Sequence, residues 1–161
     1  MKKLVFILLL FISVFSFSKE NFTENEKNSA LKQFIEFQKA LKNKDINTLK
    51  NYIDNPVNLF TYIGENYEGP VSHDEIDENK AMFMNNMKEI TFLKVDLNSN
   101  TVKSYKKGEI EVTAGFEPGK KTFEVVFYYN DPKYQEYNRY VFNFKNNELK
   151  LHAMYAGPLV K

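Results

Sequence analysis

Over residues 24–44 the apolar side chains Ala30, Leu31, Phe34, Ile35, Phe37 and Leu41 recur at helical spacing, while Lys32, Gln33, Glu36, Lys39 and Lys42 fill the other side. Such a period predicts an amphipathic helix of about five turns that buries one face. Asp45 stands where a side-chain oxygen can cap a second, short helix with Ile46, Leu49, Tyr52 and Ile53 on one stripe, and Pro56 is expected to stop it. A short β-favouring run over 57–63 ends at Gly64, and Gly69-Pro70 marks a turn. Ser72 and Glu75 match a capping box, which starts a third helix expected over 73–87.

From residue 89 the period changes to two. Leu93, Val95 and Leu97 alternate with Lys94 and Asp96, and Ile110, Val112, Ala114 and Phe116 alternate with Glu111, Thr113 and Gly115. A turn is expected within 104–108. Phe123, Val125, Phe127 and Tyr129 continue the alternation after a turn at 117–120. Strands over 137–145 and 148–155 are joined by Asn146-Asn147, residues that tolerate positive φ in a hairpin. Helices first and consecutive strands afterwards predict an α+β class, with N-terminal helices packed on one face of a curved, mostly antiparallel sheet. No repeat or linker divides residues 19–161, which read as a single domain preceded by a loose leader at 19–23.

Residues 1–18 read differently. Lys2 and Lys3 precede an apolar run over 4–17, and Ser16 and Ser18 have the two-apart spacing of a signal-peptidase site. The run is shorter than the roughly 18–20 residues that span a bilayer, so a signal peptide cleaved after Ser18 is expected, with export to a periplasm or beyond the cell. No later segment is apolar enough to cross a membrane. Removing residues 1–18 leaves 20 basic against 21 acidic side chains, a balance with no general attraction for nucleic acid or anionic lipid. The chain has 0 cysteines, which excludes disulfides, thiolate nucleophiles and thiolate metal sites. Its 6 glycines are scattered singly, without a phosphate-cradling loop or a dinucleotide fingerprint. No cofactor is implied.

The order helix, helix, short strand, helix, then a meander of long strands resembles the nuclear transport factor 2-like family, also called the cone-shaped ketosteroid isomerase-like fold. The wording of two regions carries the resemblance: Lys44-Asp45-Ile46-Asn47-Thr48-Leu49, and the closing hairpin from Tyr140-Val141-Phe142-Asn143-Phe144 to Leu149-Lys150-Leu151-His152-Ala153. It implies a pocket between sheet and helices, used by members for catalysis, ligand capture or protein contact, and a homodimer through the open sheet face. Isomerase members pair a carboxylate base with a tyrosine and a protonated acid; the first helix here has Phe34 and Phe37 and no tyrosine, so no catalytic residue is assigned.

Two polar anchors stand out among candidate ligand-binding residues. His152 is expected to share a strand face with Lys150 and Met154, where Asp96 or Glu124 could make it an acid or base, unless that face meets solvent. Arg139, the only arginine, suits a carboxylate or phosphate ligand, or else stacks on a tyrosine or pairs with Glu124. Tyr62, Phe92, Tyr128 and Tyr140 are the expected apolar walls. Tyr134 and Tyr137, on a loop over 130–137, are the expected partner contacts. The acids around His73, namely Asp74, Glu75, Asp77 and Glu78, lack metal-ligand spacing and complement a helix start, so no metal is assigned. Met82, Met84 and Met87 read as core filler or an adaptable pocket wall. The function expected is a small exported binding module, non-catalytic, for a hydrophobic small molecule or a partner protein. The alternative is an isomerase or dehydratase using His152 with a carboxylate.

Overall fold

The computed structural model describes residues 21–61, 69–130 and 135–158. Residues 1–18, with the export reading, lie outside them, as do Tyr62 and Tyr134. Helix α1 (Glu24–Asn43) is followed by α2 (Ile46–Lys50), β1 (Ile53–Thr61), β2 (Pro70–Val71), α3 (His73–Glu78), α4 (Lys80–Asn86) and a 3-10 helix (Lys88–Phe92). The strands β3 (Lys94–Asp96), β4 (Thr101–Lys103), β5 (Tyr105–Lys107), β6 (Ile110–Phe116), β7 (Thr122–Asn130), β8 (Gln135–Lys145) and β9 (Glu148–Pro158) complete the chain. Seven strands form one sheet in the order β2-β1-β9-β8-β7-β6-β5, and β3 and β4 form a separate hairpin. Among the described residues only β1 and β9 pair in parallel, so the class is α+β with a mostly antiparallel sheet, as the patterning predicts. Among the described residues no helix is long and apolar enough to cross a membrane.

Helix α1 starts at a capping box in which Thr23 Oγ1 accepts from Glu26 N and Glu26 reaches back to Thr23 N. The end of the leader is therefore fixed: Phe22 packs on Phe116 and Phe144, and Gly119 N donates to Asn21 Oδ1 at 2.7 Å. The buried stripe of α1 lies on the inner face of the sheet. Phe34 meets Phe123 and Phe142 edge-on at 4.9 and 5.7 Å, and Phe37 meets Phe142 at 5.2 Å. Burying each such ring contributes about 1.5–3 kcal/mol by area, with a further gain from the edge-to-face geometry.

Two glutamines of α1, Gln33 from the expected polar side and Gln38, tie other elements to it. Gln33 donates to Asn147 O and accepts from Leu149 N, gripping the β8–β9 hairpin, where Asn146 and Asn147 take φ of 54° and 63°. Gln38 Nε2 donates to Ile90 O at 2.7 Å and Leu93 O at 3.0 Å, fixing the 3-10 segment.

Two expected boundaries move. α2 is capped by Asp45 but stops at Lys50, and Ile53 to Pro56 belong to β1, because Leu151 N donates to Tyr52 O and draws the chain against β9. The expected third helix is broken at Asn79 into α3 and α4 and ends in the 3-10 turn. The turn expected within 104–108 comes at its far end, at Gly108 with φ 59°, and β5 fills the residues before it.

Candidate functional site

Alternation along β7 sends Phe123, Val125 and Phe127 inward, where they are fully buried, and Glu124, Val126 and Tyr128 outward. Register carries this across the sheet. Tyr128 faces Glu111 and Tyr137, Val126 faces Arg139, and Glu124 faces Val141. Tyr137 is thus a β8 residue beside Tyr128 and not part of a loop, because the β7–β8 pairing extends to Asn130 and Gln135.

The outer face is organised by one ion pair. Arg139 Nε donates to Glu124 Oε2 at 2.8 Å and Nη2 donates to Oε1, a two-point grip on a carboxylate that is only 8% exposed. Donating to the Glu124 carboxylate raises the Arg139 pKa further. Above this pair the guanidinium lies 5.9 Å from the Tyr155 ring centroid, and Tyr155 stacks on Phe60 at 4.8 Å. Of the alternatives for Arg139, pairing with Glu124 and lying over a tyrosine are therefore both realised.

At the end of the sheet a cavity of about 200 Å³ opens among Leu59, Asn86, Asn138, Tyr140, Met154 and Ala156, and Phe60 and Tyr155 of the outer cluster reach its edge and also line it. Tyr140, 2% exposed, is its floor; its hydroxyl donates to Asn86 O at 2.7 Å, and burial raises its pKa. The rest of the core is packed by phenylalanine and aliphatic side chains.

His152 sits at a β-bulge. Phe142 faces Leu151 but Val141 faces Ala153, so His152 is an extra residue on β9. The bulge separates the three residues expected on one face: Lys150 faces Asn143 on the outside, whereas Met154 faces Tyr140 on the inside. The His152 ring shares a polar cleft of about 390 Å³ with Asp54, Asn143, Glu148 and Lys150, and its Nδ1 lies 2.9 Å from Asp54 Oδ2. Its carboxylate is therefore Asp54. Glu124 is taken by Arg139, and Asp96 caps its own turn, where hydrogen bonds from Asn98 N and Ser99 lower its pKa. His73, the other histidine, places Nε2 3.1 Å from Ile53 O, so both histidines brace the start of β1.

The remaining candidates disperse. Phe92 is 52% exposed and stacks on Tyr105 at 5.2 Å, beside the outermost strand β5. Glu75 closes the cap on Ser72, and Asp77 pairs with Lys50 at 2.6 Å. Among the described residues no group of three His, Asp or Glu side chains is placed to hold a metal ion. Of the expected site, the structure brings Tyr128, Arg139 and Tyr137 together on the outer face, leaves Tyr140 alone inside, and sets His152 at the bulge. Sequence reasoning named Glu124 as one alternative partner of Arg139 but missed Phe60, Tyr155 and Asp54 as members of these clusters.

A helix pair, a short strand, further helices and a closing meander follow one another along the chain, with the helices gathered on one side of the sheet. This architecture resembles the nuclear transport factor 2-like fold that the sequence led one to expect. No protein-family model matches the chain, and no curated protein matches it. Solved structures are similar to it at low identity. A DUF4783 family protein from Bacteroides uniformis is 15% identical, with a TM-score of 0.42 over 79% of this chain and 97% of that one. A protein of the NTF2-like family from Streptomyces avermitilis is 14% identical, with a TM-score of 0.45 over 86% of this chain and 100% of that one. An NTF2-like protein from Cytophaga hutchinsonii is 11% identical, with a TM-score of 0.41 over 80% and 94%.

Proposed function

We propose that the protein is an exported, non-catalytic binding module that holds a partner protein on the outer face of its sheet. The observation that carries this reading is the pre-ordered cluster there: Arg139 clamped by Glu124, Tyr155 over it and stacked on Phe60, with Tyr128 and Tyr137 alongside. Tyrosine and arginine held in place lose little conformational freedom on binding and are the side chains that dominate protein contacts. A small hydrophobic ligand inside the cone is supported less well, since about 200 Å³ of free space falls below the ~300–1,000 Å³ usual for ligand sites. Export rests on residues 1–18, read as a signal.

Native mass spectrometry of protein produced with its own residues 1–18 and recovered outside the cytoplasm tests this. The expected species starts at Lys19 and carries a protein mass, either a second copy or another chain, that is lost in the Tyr155→Ala variant. An apolar small molecule that is retained by the wild type and lost when Ala156→Phe fills the cavity at the end of the sheet would overturn it.

One observation favours a second reading. The Asp54–His152 pair in its polar cleft is an orienting carboxylate on an imidazole, the arrangement of a general base. Deuterium exchange α to the carbonyl of small keto acids, abolished in His152→Ala, would establish that reading; exchange at the uncatalysed rate would remove it.

A further inference from the structure

On the helical side of the domain, the last turn of α1 meets α4 and the 3-10 helix around a groove of about 390 Å³. Leu41, Ala81 and Met84 give it an apolar floor, and Lys42, Lys44 and Lys88 stand around it. The next residue of α4, Met82, is 63% exposed. These lysines differ from their neighbours in what they touch. Lys39 and Lys50 hold carboxylates at 2.6 Å, whereas Lys42 and Lys44 have no ion pair among the described residues, and Lys88 reaches only the adjacent Glu89, at 3.8 Å. A cation in the last turn of a helix complements the helix dipole, which accounts for Lys42. It does not account for Lys88, which arrives from a different element to the same apolar floor.

We propose that this groove binds a single-chain carboxylate amphiphile, a fatty-acid anion, with its chain on Leu41, Ala81 and Met84 and its carboxylate between the lysines. Charge complementarity selects an anion, since three ammonium groups surround the floor. The volume lies near the lower end of the ~300–1,000 Å³ of ordinary ligand sites, which suits one chain better than the two of a phospholipid. Apolar burial supplies the attraction, and the lysines supply the selectivity between head groups.

Titration calorimetry on the whole protein with laurate, below its micelle concentration, tests the site, beside dodecyltrimethylammonium as the cation of equal chain length and vesicles of phosphatidylglycerol as the two-chain anion. Expected are saturable binding of laurate, at least tenfold weaker binding of the cation, and no vesicle binding. The Lys42→Gln/Lys44→Gln/Lys88→Gln variant should weaken laurate at least tenfold while melting as the wild type does, and Met84→Glu should do the same from the floor. Equal affinity for laurate and the cation, or laurate binding unchanged in both variants, overturns the proposal, as does binding to vesicles alone. Tyr155→Ala, on the other side of the sheet, should leave laurate binding unchanged, so failure here and failure of the partner-protein reading are separate results.

Discussion

Replacing Arg139 with alanine strands Glu124. The carboxylate is 8% exposed and gives both oxygens to the guanidinium, so the variant leaves a nearly buried charge without its counter-ion. Breaking a fully buried pair costs about 3–5 kcal/mol, and an exposed pair contributes about 0–1 kcal/mol. The pair here lies between these limits, with side-chain exposure of 37% on Arg139 and 10% on Glu124. Solvent screening at the arginine end brings the expected loss to about 2 kcal/mol, which includes the cation–π contact with Tyr155. With a urea dependence of about 2 kcal/mol per molar, the unfolding midpoint should fall by about 1 M. A double-mutant cycle with Glu124→Ala isolates the pair and should give a coupling of about 1–2 kcal/mol. A midpoint shift below about 0.3 M, together with a coupling below about 0.5 kcal/mol, would refute the view that this face is held in order by the pair.

Three further outcomes follow from the packing and the caps. Phe34→Ala empties the centre of the phenylalanine cluster and should cost about 3–5 kcal/mol in urea unfolding; a loss under about 1 kcal/mol would mean that the cluster repacks. Gln38→Leu removes the donor shared by Ile90 O and Leu93 O and should cost about 1–3 kcal/mol, with faster amide exchange over residues 88–93 as its local sign. Hydrogen bonds from Lys121 and from the Thr23 cap hold the Glu26 pKa at about 2, down from 4.5. A carboxylate depressed on folding adds stability that is complete above its ordinary pKa and is lost as pH falls toward the depressed one, so Glu26→Gln should flatten the decline in stability between about pH 4.5 and 2. Direct titration of Glu26 by NMR checks the pKa itself.

What could be read from the chain alone divides by how local its cause is. α1, the Asp45 cap, the Ser72–Glu75 box and the Asn146-Asn147 turn are written in spacings of a few residues, and each stands where the pattern places it. Thr23 and Glu26 have the same capping spacing as Ser72 and Glu75, so the order at the end of the leader was there to be read. The parallel pairing of β1 with β9 was not, since it joins residues nearly a hundred apart. Asp54 reaches His152 only through that pairing. Period-two counting also fails at a bulge: it keeps Lys150, His152 and Met154 on one face until the extra residue in β9 turns Met154 inward. Gln33 and Gln38 look like solvent-facing residues because their partners are backbone groups of distant elements. The outer-face cluster was half legible, since Arg139, Tyr128 and Tyr137 are conspicuous by type and Glu124 was one of the partners open to Arg139, but Tyr155 and Phe60 join them only once register is known.

Site-directed photo-crosslinking in cells making the protein tests the outer-face role most directly, with p-benzoylphenylalanine at position 155 or 137 and, as the control, at Lys120 on the exposed turn. A discrete protein adduct from positions 155 and 137, absent from 120, is the predicted result, and its mass distinguishes a second copy from another chain. Adducts from position 120 alone, or none from the outer face, would contradict it.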